Sequence, residues 1–236
     1  MVLNQPRFQS HFMFQKVLIA EEFDIIYSGL KATLEEIQII STAIEHVSYC
    51  DEALMKLKKG VLDNSTYDLL ICDLFFLADH KSQEITSGKE LIKRVRKEFP
   101  TLKIIVFSNE DKPFIIQDLY KNFKINAYVG KKGNGQKELK KAIRHVYYKD
   151  NFYLSEGLSG AIHPKNEIKI SEFDILLIEC LSKGFSQEEI SIELKEKGIS
   201  PSSTSAIEKR LKFLKEDFNA NNPAHLVALA KDLGVV

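Results

Sequence analysis

Side chains that could act together on a phosphoryl group follow short apolar runs in the first 150 residues of the chain. These side chains are Glu21, Glu22, Asp73, Ser108 and Lys131. If the runs are parallel strands, their carboxyl ends lie along one edge of a sheet and the side chains converge there. Crowded carboxylates repel each other, and a hard divalent cation such as Mg²⁺ relieves that repulsion. One carboxylate can then attack a phosphoryl group while the metal and the lysine neutralise the developing charge.

The elements that must position these side chains alternate regularly over residues 1–150. Continuous apolar runs predict buried strands, and stretches with a helical spacing of apolar residues separate them. The predicted strands are 16–20, 37–43, 67–72, 103–107 and 127–129, and the predicted helices are 26–35, 52–59, 89–99, 113–123 and 137–148. This alternation is typical of an α/β domain, with a doubly wound five-stranded parallel sheet covered by helices on both faces.

Four stretches of this first domain resemble a known family. They are Val-Leu-Ile-Ala-Glu-Glu at 17–22, Asp-Leu-Leu-Ile-Cys-Asp at 68–73, Ile-Ile-Val-Phe-Ser at 104–108 and Ala-Tyr-Val-Gly-Lys at 127–131. Through them the region 16–150 resembles the CheY-like receiver domain of two-component response regulators. The resemblance implies a protein that accepts a phosphoryl group from a sensor histidine kinase, with Mg²⁺ as cofactor.

The same resemblance implies a role for each residue at the predicted strand ends. The roles are phosphoacceptor for Asp73, Mg²⁺ ligand for Glu21, Glu22 and Asp73, phosphate contact for Ser108 and Lys131, and rotating aromatic of the switch for Tyr128. Each residue taken alone has an ordinary explanation, such as a turn, a cap or core packing. Their combined order along an α/β pattern is what favours the receiver interpretation.

The sequence departs from the family pattern close to Asp73. The family usually has an aspartate in the acidic pair after the first strand, and here both residues of that pair are glutamates. The family's proline soon after the phosphoacceptor is missing, and the loop to Gly88 is longer than usual. Within that loop, Asp79 and His80 are interpreted as solvated. These departures support an alternative hypothesis, a pseudo-receiver transcription factor that binds DNA without phosphorylation.

After Asp150 the alternation of strands and helices ends. Residues 151–169 contain glycine and proline without a strong period, which predicts a linker. Helical patterns follow to the end of the chain, and residues 170–236 are therefore predicted to form a small all-α domain of four helices. The helices are predicted to begin at the caps Ser171, Ser186, Ser202 or Ser203, and Asn222.

This four-helix domain resembles the LuxR/NarL (FixJ) type of helix-turn-helix domain. The matching stretches are 170–176, 184–190, 200–207 and 218–227. The resemblance implies binding to double-stranded DNA, with one helix in the major groove, and a homodimer whose paired domains bind paired half-sites. The turn before the third helix is longer than the turn of the family.

The third predicted helix has a basic face. Apolar residues at helical spacing would bury one side of it, which leaves charged residues on the opposite side. The residues predicted to contact DNA are Ser202, Ser203, Thr204, Glu208, Lys209, Arg210, Lys212 and Lys215. The serines and the threonine near the helix start suit phosphate contacts. The formal net charge of the chain is zero, so a solvated surface helix is the alternative explanation.

Other classes of function have less support. The three cysteines lack metal-ligand spacing, which favours a reduced, cytoplasmic protein, and no apolar segment approaches the length of a membrane span. An aspartyl phosphatase is the enzymatic alternative, but it typically has a second acid where this chain has Phe75. We therefore predict a DNA-binding transcription regulator, switched by phosphorylation of Asp73, that is not an enzyme.

Overall fold

A computed structural model of the chain describes residues 13–77, 82–161 and 170–236. The chain forms two compact units. The first comprises residues up to 110 together with 118–159, and the second comprises 111–117 and the residues from 160 onward. Across the described residues, no helix combines the length and the apolar character that crossing a membrane requires.

Strands and helices alternate in the described residues between 17 and 154, as the apolar runs predict. The strands are β1 (Val17–Ala20), β2 (Ile44–Val47), β3 (Leu69–Cys72), β4 (Lys103–Ser108), β5 (Ala127–Gly130) and β6 (Tyr153–Leu154). The helices are α1 (Asp24–Glu36), α2 (Cys50–Leu62), α3 (Gly88–Glu98), α4 (Pro113–Lys121) and α5 (Gly135–Tyr148). Within the described residues these strands form one parallel sheet in the order β2-β1-β3-β4-β5-β6.

The core of the first unit explains why its central strands β1 and β3 are apolar throughout. Successive side chains of a strand point to opposite faces, so a sheet covered on both faces needs apolar residues at every position. Val17, Ile71 and Phe107 pack in one cluster with Leu139 and Ile143 of α5. β1 and β3 are buried along their whole length. The predicted doubly wound α/β architecture is confirmed.

The second strand lies later in the chain than predicted. Residues 37–43 do not form a strand, because the segment turns directly after α1 and then forms a 3₁₀ turn at Ser41–Ala43. Gln38 adopts a φ of 68° in this turn. Ile37 and Ile39 are nevertheless buried in the core, which accounts for the apolar run. β2 itself has two half-buried polar residues in its centre, so its apolar pattern is weak.

A further strand, β6, lies in the segment that is predicted to be a linker. Its two residues pair in parallel with Ala127 and Tyr128 of β5, so the described sheet has six strands where five are predicted. A run of two residues is too short to produce a periodic pattern in the sequence. Residues 162–169 of the predicted linker lie outside the described residues.

The second unit is helical, as predicted. Its described helices after residue 170 are α6 (Glu172–Ser182), α7 (Gln187–Glu196), α8 (Thr204–Asp217) and α9 (Pro223–Leu233). The predicted caps are confirmed, since Ser171 and Ser186 each form a capping box and Ser203 and Asn222 cap α8 and α9. Buried residues of all four helices form one core, which holds α7, the turn after it and α8 together.

Candidate functional site

Three residues at the carboxyl ends of β1, β3 and β5 form a buried charge cluster in the first unit. Lys131 Nζ donates to Glu21 Oε2 and to Asp73 Oδ2, each at 2.7 Å. The side chains of Glu21, Asp73 and Lys131 are only 1%, 5% and 8% exposed. The sequence predicts that these residues converge, and the structure brings them together.

Main-chain hydrogen bonds continue past the strand ends and hold this cluster in place. Asp73 N donates to Ala20 O at 3.0 Å, and Lys131 N donates to Ser108 O at 2.9 Å. The second carboxylate oxygens are also used, since Glu21 Oε1 accepts from the Phe23 amide and Asp73 Oδ1 accepts from the Leu74 amide. The geometry of the cluster is therefore set by the sheet itself.

Burial and the charge of Lys131 act in opposite directions on the pKa of Glu21. Removal from water raises the pKa of this carboxyl, and the hydrogen bond and charge of Lys131 oppose that rise without cancelling it. Two carboxylates share one ammonium, so the cluster carries excess negative charge when both are ionised. Excess negative charge in a buried site favours the binding of an additional cation.

Ser108 and Tyr128, the other predicted members of the site, are linked through Glu110. Both side chains are buried. Ser108 Oγ accepts from the Glu110 amide at 3.4 Å, and the Tyr128 hydroxyl donates to Glu110 O at 2.7 Å. The loop after β4 is thus held to β5 by the predicted switch tyrosine. The sequence does not single out Glu110, because the link uses only its main-chain atoms.

The predicted Mg²⁺ ligands are brought together only in part. Glu21 and Asp73 supply oxygen atoms around one point, but Glu22 Oε2 accepts from the Leu77 amide at 2.8 Å. Among the described residues, no group of three or more acidic, histidine or cysteine side chains is arranged to hold a metal ion. The carboxylate oxygens of Glu21 and Asp73 are of the kind that a hard cation prefers, and Lys131 supplies the positive charge between them.

The long loop between β3 and α3 approaches Asp73 closely at its far end. A Cβ atom on Gly88 would lie 1.8 Å from Asp73 O, so only glycine fits at the start of α3 in this position. Asp51 accepts from the amides of Glu84 and Ile85 and anchors the same end of the loop. Asp79, His80 and Lys81 lie outside the described residues.

In the second unit, α8 presents most of the residues predicted to contact DNA. Glu208, Lys209 and Lys212 are exposed on one face of α8, while Lys215 is half-buried. At the helix start, Ser203 Oγ accepts from the Ala206 amide. Ser202 O accepts from Ser191 Oγ of α7 at 2.6 Å, which fixes the turn between the two helices, and Thr204 is the first residue of α8.

Arg210, also predicted to contact DNA, is engaged inside the second unit. Its guanidinium donates to both carboxylate oxygens of Asp174, at 2.5 and 2.7 Å, and the Asp174 side chain is fully buried. Ser171 donates to the same carboxylate. The structure therefore gives Arg210 a role in joining α8 to α6. The sequence shows Asp174 only as part of a capping pattern, since its partner lies 36 residues away.

Comparison with known proteins gives matches among solved structures. No protein-family model matches the chain, and no curated protein matches it either. A structure of two RcsB dimers bound to two parallel DNAs is 22% identical, covers 93% of this chain and 98% of that chain, and has a TM-score of 0.62. A complex of the two-component response regulator RcsB with DNA has the same identity and coverage and a TM-score of 0.61.

RcsB from Salmonella enterica serovar Typhimurium is a further match, in a structure bound to promoter P1flhDC in the presence of the phosphomimetic BeF3⁻. It is 21% identical, covers 93% of this chain and 98% of that chain, and has a TM-score of 0.61. At this level of identity the likeness establishes the fold. The chain therefore has the fold of the RcsB structures, an α/β unit of the receiver type followed by a helical unit of the helix-turn-helix type.

Proposed function

We propose that this chain is a DNA-binding response regulator, in which phosphorylation of Asp73 by a histidine kinase controls dimerisation and promoter binding. The observation that carries the proposal is the buried cluster of Asp73, Glu21 and Lys131 at the carboxyl edge of the receiver sheet. The DNA complexes and dimers of the RcsB structures support the output side of the proposal. Such a regulator acts on DNA in the cytoplasm and does not turn over a substrate.

The arrangement around Asp73 suits phosphoryl transfer from a phosphohistidine. An Asp73 carboxylate oxygen attacks the phosphorus, the P–O bond forms, and the P–N bond to the donor histidine breaks. The leaving imidazole keeps the electron pair of that bond and takes up a proton. Lys131 neutralises the added negative charge, and the Ser108 hydroxyl is the predicted hydrogen-bond donor to the product. Burial of Asp73 limits the access of water to the acyl phosphate.

We also propose Mg²⁺ as the cofactor of this pocket. Glu21 and Asp73 already direct oxygen atoms at one positive group, and Glu22 is the adjacent acidic residue in the chain. The ion would supply Lewis-acid stabilisation of the phosphoryl oxygens. Calorimetric titration with Mg²⁺ tests this directly, and Glu21→Gln should weaken binding because it removes a charged oxygen ligand.

The proposed partner of the second unit is double-stranded DNA, bound by α8. Lys209 and Lys212 are exposed on the same face of α8, next to Glu208. The start of α8 adds main-chain amides and serine hydroxyls that suit phosphate oxygens. A basic helix that packs against the preceding helix through a turn is the arrangement that helix-turn-helix proteins place in the major groove.

Phosphorylation and DNA binding can be tested in one experiment. The purified chain is incubated with acetyl phosphate and Mg²⁺, phosphate incorporation is followed by mass spectrometry, and DNA binding is measured by gel shift on duplexes selected from a random library. We expect incorporation at one site, loss of incorporation in Asp73→Ala, and tighter DNA binding by the phosphorylated wild type. Unmodified protein under all conditions would contradict the phosphorylation proposal.

A second candidate function is a pseudo-receiver transcription factor that binds DNA without phosphorylation. The observation that favours it is the engagement of Glu22 with the Leu77 amide, together with the position of Lys131 between the remaining two carboxylates. In that case the cluster of Glu21, Asp73 and Lys131 only stabilises the folded first unit. The same experiment separates the two functions, because a pseudo-receiver binds the selected duplexes equally with and without acetyl phosphate.

A further inference from the structure

The chain segment after α5 is bound along β5, immediately beside the charge cluster. We call residues 153–158 the strap. β6, its first part, pairs with Ala127 and Tyr128. The next residue, Ser155, makes two hydrogen bonds to β5. Ser155 N donates to Tyr128 O at 3.1 Å, and Ser155 Oγ accepts from Gly130 N at 3.1 Å. The strap thus makes hydrogen bonds to β5 up to the last residue before Lys131.

A second anchor ties the strap to α5. Glu138 is buried, and its carboxylate accepts from the Tyr153 hydroxyl at 2.8 Å, from the Glu156 amide at 3.2 Å and from Lys141 Nζ at 2.7 Å. A buried carboxylate needs such donors to offset its desolvation. Because the anchor uses main-chain and side-chain atoms of the strap, it fixes the position of Ser155 relative to β5.

The bonds of the strap lie directly next to residues of the pocket. Gly130, which donates to Ser155, precedes Lys131, whose ammonium binds Asp73 and Glu21. Tyr128, whose carbonyl accepts from the strap, is the residue whose hydroxyl binds Glu110 O. A movement of Lys131 that shifts its own main chain therefore acts on its hydrogen bond to Ser108 O and, one residue earlier, on the Gly130–Ser155 hydrogen bond.

We propose that Ser155 is a positioning residue for Lys131 and that the strap transmits the state of the pocket to the chain that leads into the helix-turn-helix unit. This inference rests on the proposed function. When Asp73 carries a phosphoryl group, Lys131 leaves Glu21 and the Gly130–Ser155 hydrogen bond weakens. The strap then loosens at Ser155, four residues before the end of the first unit. Two discrete arrangements of a packed element are the usual basis of such coupling.

A plain structural role for the strap predicts something different. If the strap only covers the exposed edge of β5, its hydrogen bonds persist whatever the pocket contains. Removing the Ser155 hydroxyl then lowers stability, but it leaves the effect of phosphorylation on DNA affinity as it is in the wild type.

Hydrogen exchange of the Gly130 and Ser155 amides in the full chain separates these two roles. We expect both amides to exchange at least about tenfold faster when beryllofluoride and Mg²⁺ fill the pocket, since local opening sets the exchange rate. Asp73→Asn should show no such change. Lys131→Met should show fast exchange without any ligand, because it removes the link between β5 and the carboxylates. Protection at wild-type level in Lys131→Met would overturn the inference.

The transmission step is tested by the ratio of DNA affinities with and without acetyl phosphate. Ser155→Ala should reduce a wild-type ratio of about 5–150 to about 1–2 when both proteins are compared at the same extent of Asp73 phosphorylation. Tyr153→Phe, which removes one donor to Glu138, should reduce the ratio partially. Ser65→Ala is the matched control, because Ser65 Oγ accepts from Lys16 Nζ away from the pocket, and it should keep the full ratio.

A wild-type ratio in Ser155→Ala would overturn the transmission role. If the wild-type ratio is itself close to one, the proposed function fails, and the exchange experiment on Lys131→Met still decides the connection between pocket and strap. The two failures are therefore distinguishable.

Discussion

The ammonium of Lys131 lies 2.7 Å from Asp73 Oδ2, although 58 positions separate the two residues in the chain. Their strands are not neighbours, because β4 pairs with β3 on one side and with β5 on the other. Lys131 also donates to Glu21 after β1. One side chain therefore joins the ends of three strands, and the charge balance of the cluster depends on it.

We expect Lys131→Met to lower the free energy of unfolding by about 3–5 kcal/mol, because it leaves two buried carboxylates without a counter-charge. Added Mg²⁺ should restore part of this loss by supplying positive charge. Urea unfolding followed by circular dichroism, with Mg²⁺ or with EDTA, measures both effects. Lys103→Met is the matched control, since its ion pair with the exposed Asp150 should contribute less than about 1 kcal/mol. Equal losses in the two variants would contradict the assigned role of Lys131.

Gly88→Ala should destabilise the first unit through a steric clash. The added Cβ would lie 1.8 Å from Asp73 O, so either α3 or the main chain of Asp73 has to move. We expect a loss of about 1–3 kcal/mol in the free energy of unfolding, together with slower phosphate incorporation at Asp73. Gly157→Ala is the control, because nothing lies within 4 Å of its added Cβ. Urea unfolding and mass spectrometry measure the two effects, and a Gly88→Ala protein as stable as Gly157→Ala would refute the clash.

The ends of the strands are the part of the site that the sequence predicts well. A strand buried on both faces is a continuous apolar run, and the first polar residue after it marks the end of the strand. Glu21, Asp73 and Lys131 follow such runs, and their convergence results from the parallel arrangement of the strands. The local patterns of serine caps in the second unit are predicted for the same reason, since capping depends on residues close in sequence.

The features that the sequence does not predict depend on partners distant in the chain. β6 is two residues long and is defined by its pairing with β5. Glu22 meets the Leu77 amide 55 residues away, and Arg210 meets Asp174 36 residues away. Helical spacing correctly places Ile207 and Leu211 in the core, but it does not show that Arg210 at the border of the exposed face is held by a buried carboxylate.

The Asp174–Arg210 pair should make the stability of the second unit depend on pH. Burial raises the pKa of Asp174, but the hydrogen bonds from Arg210 and Ser171 outweigh this effect, so the pKa in the folded state is lowered. Because the unfolded-state pKa is about 3.9, the stabilisation is fully present above about pH 4 and is lost as the pH falls through the folded value. Asp174→Asn should therefore cost about 3 kcal/mol at pH 7 and progressively less in acid.

Urea unfolding of the full chain from pH 7 down to acid pH measures this difference between wild type and Asp174→Asn. Glu216→Gln on the exposed side of α8 is the control, and it should change stability by less than about 0.5 kcal/mol. A loss in Asp174→Asn that stays constant over the whole pH range would show that the carboxylate charge does not stabilise the pair.

Lys209 and Arg210 are neighbours on α8, yet their replacement by alanine should have different effects. Lys209 is exposed, so Lys209→Ala should leave stability unchanged, weaken binding to all duplexes and reduce the slope of log affinity against log salt by about one. Arg210→Ala leaves the Asp174 carboxylate buried without its partner, so it should lower the free energy of unfolding by about 3–5 kcal/mol. Fluorescence anisotropy with a labelled duplex over a range of salt concentrations measures affinity and slope, and urea unfolding measures stability. Lys231→Ala on α9 is the control for loss of a single positive charge. Wild-type affinity and salt slope in Lys209→Ala would remove this face of α8 from the proposed DNA interface.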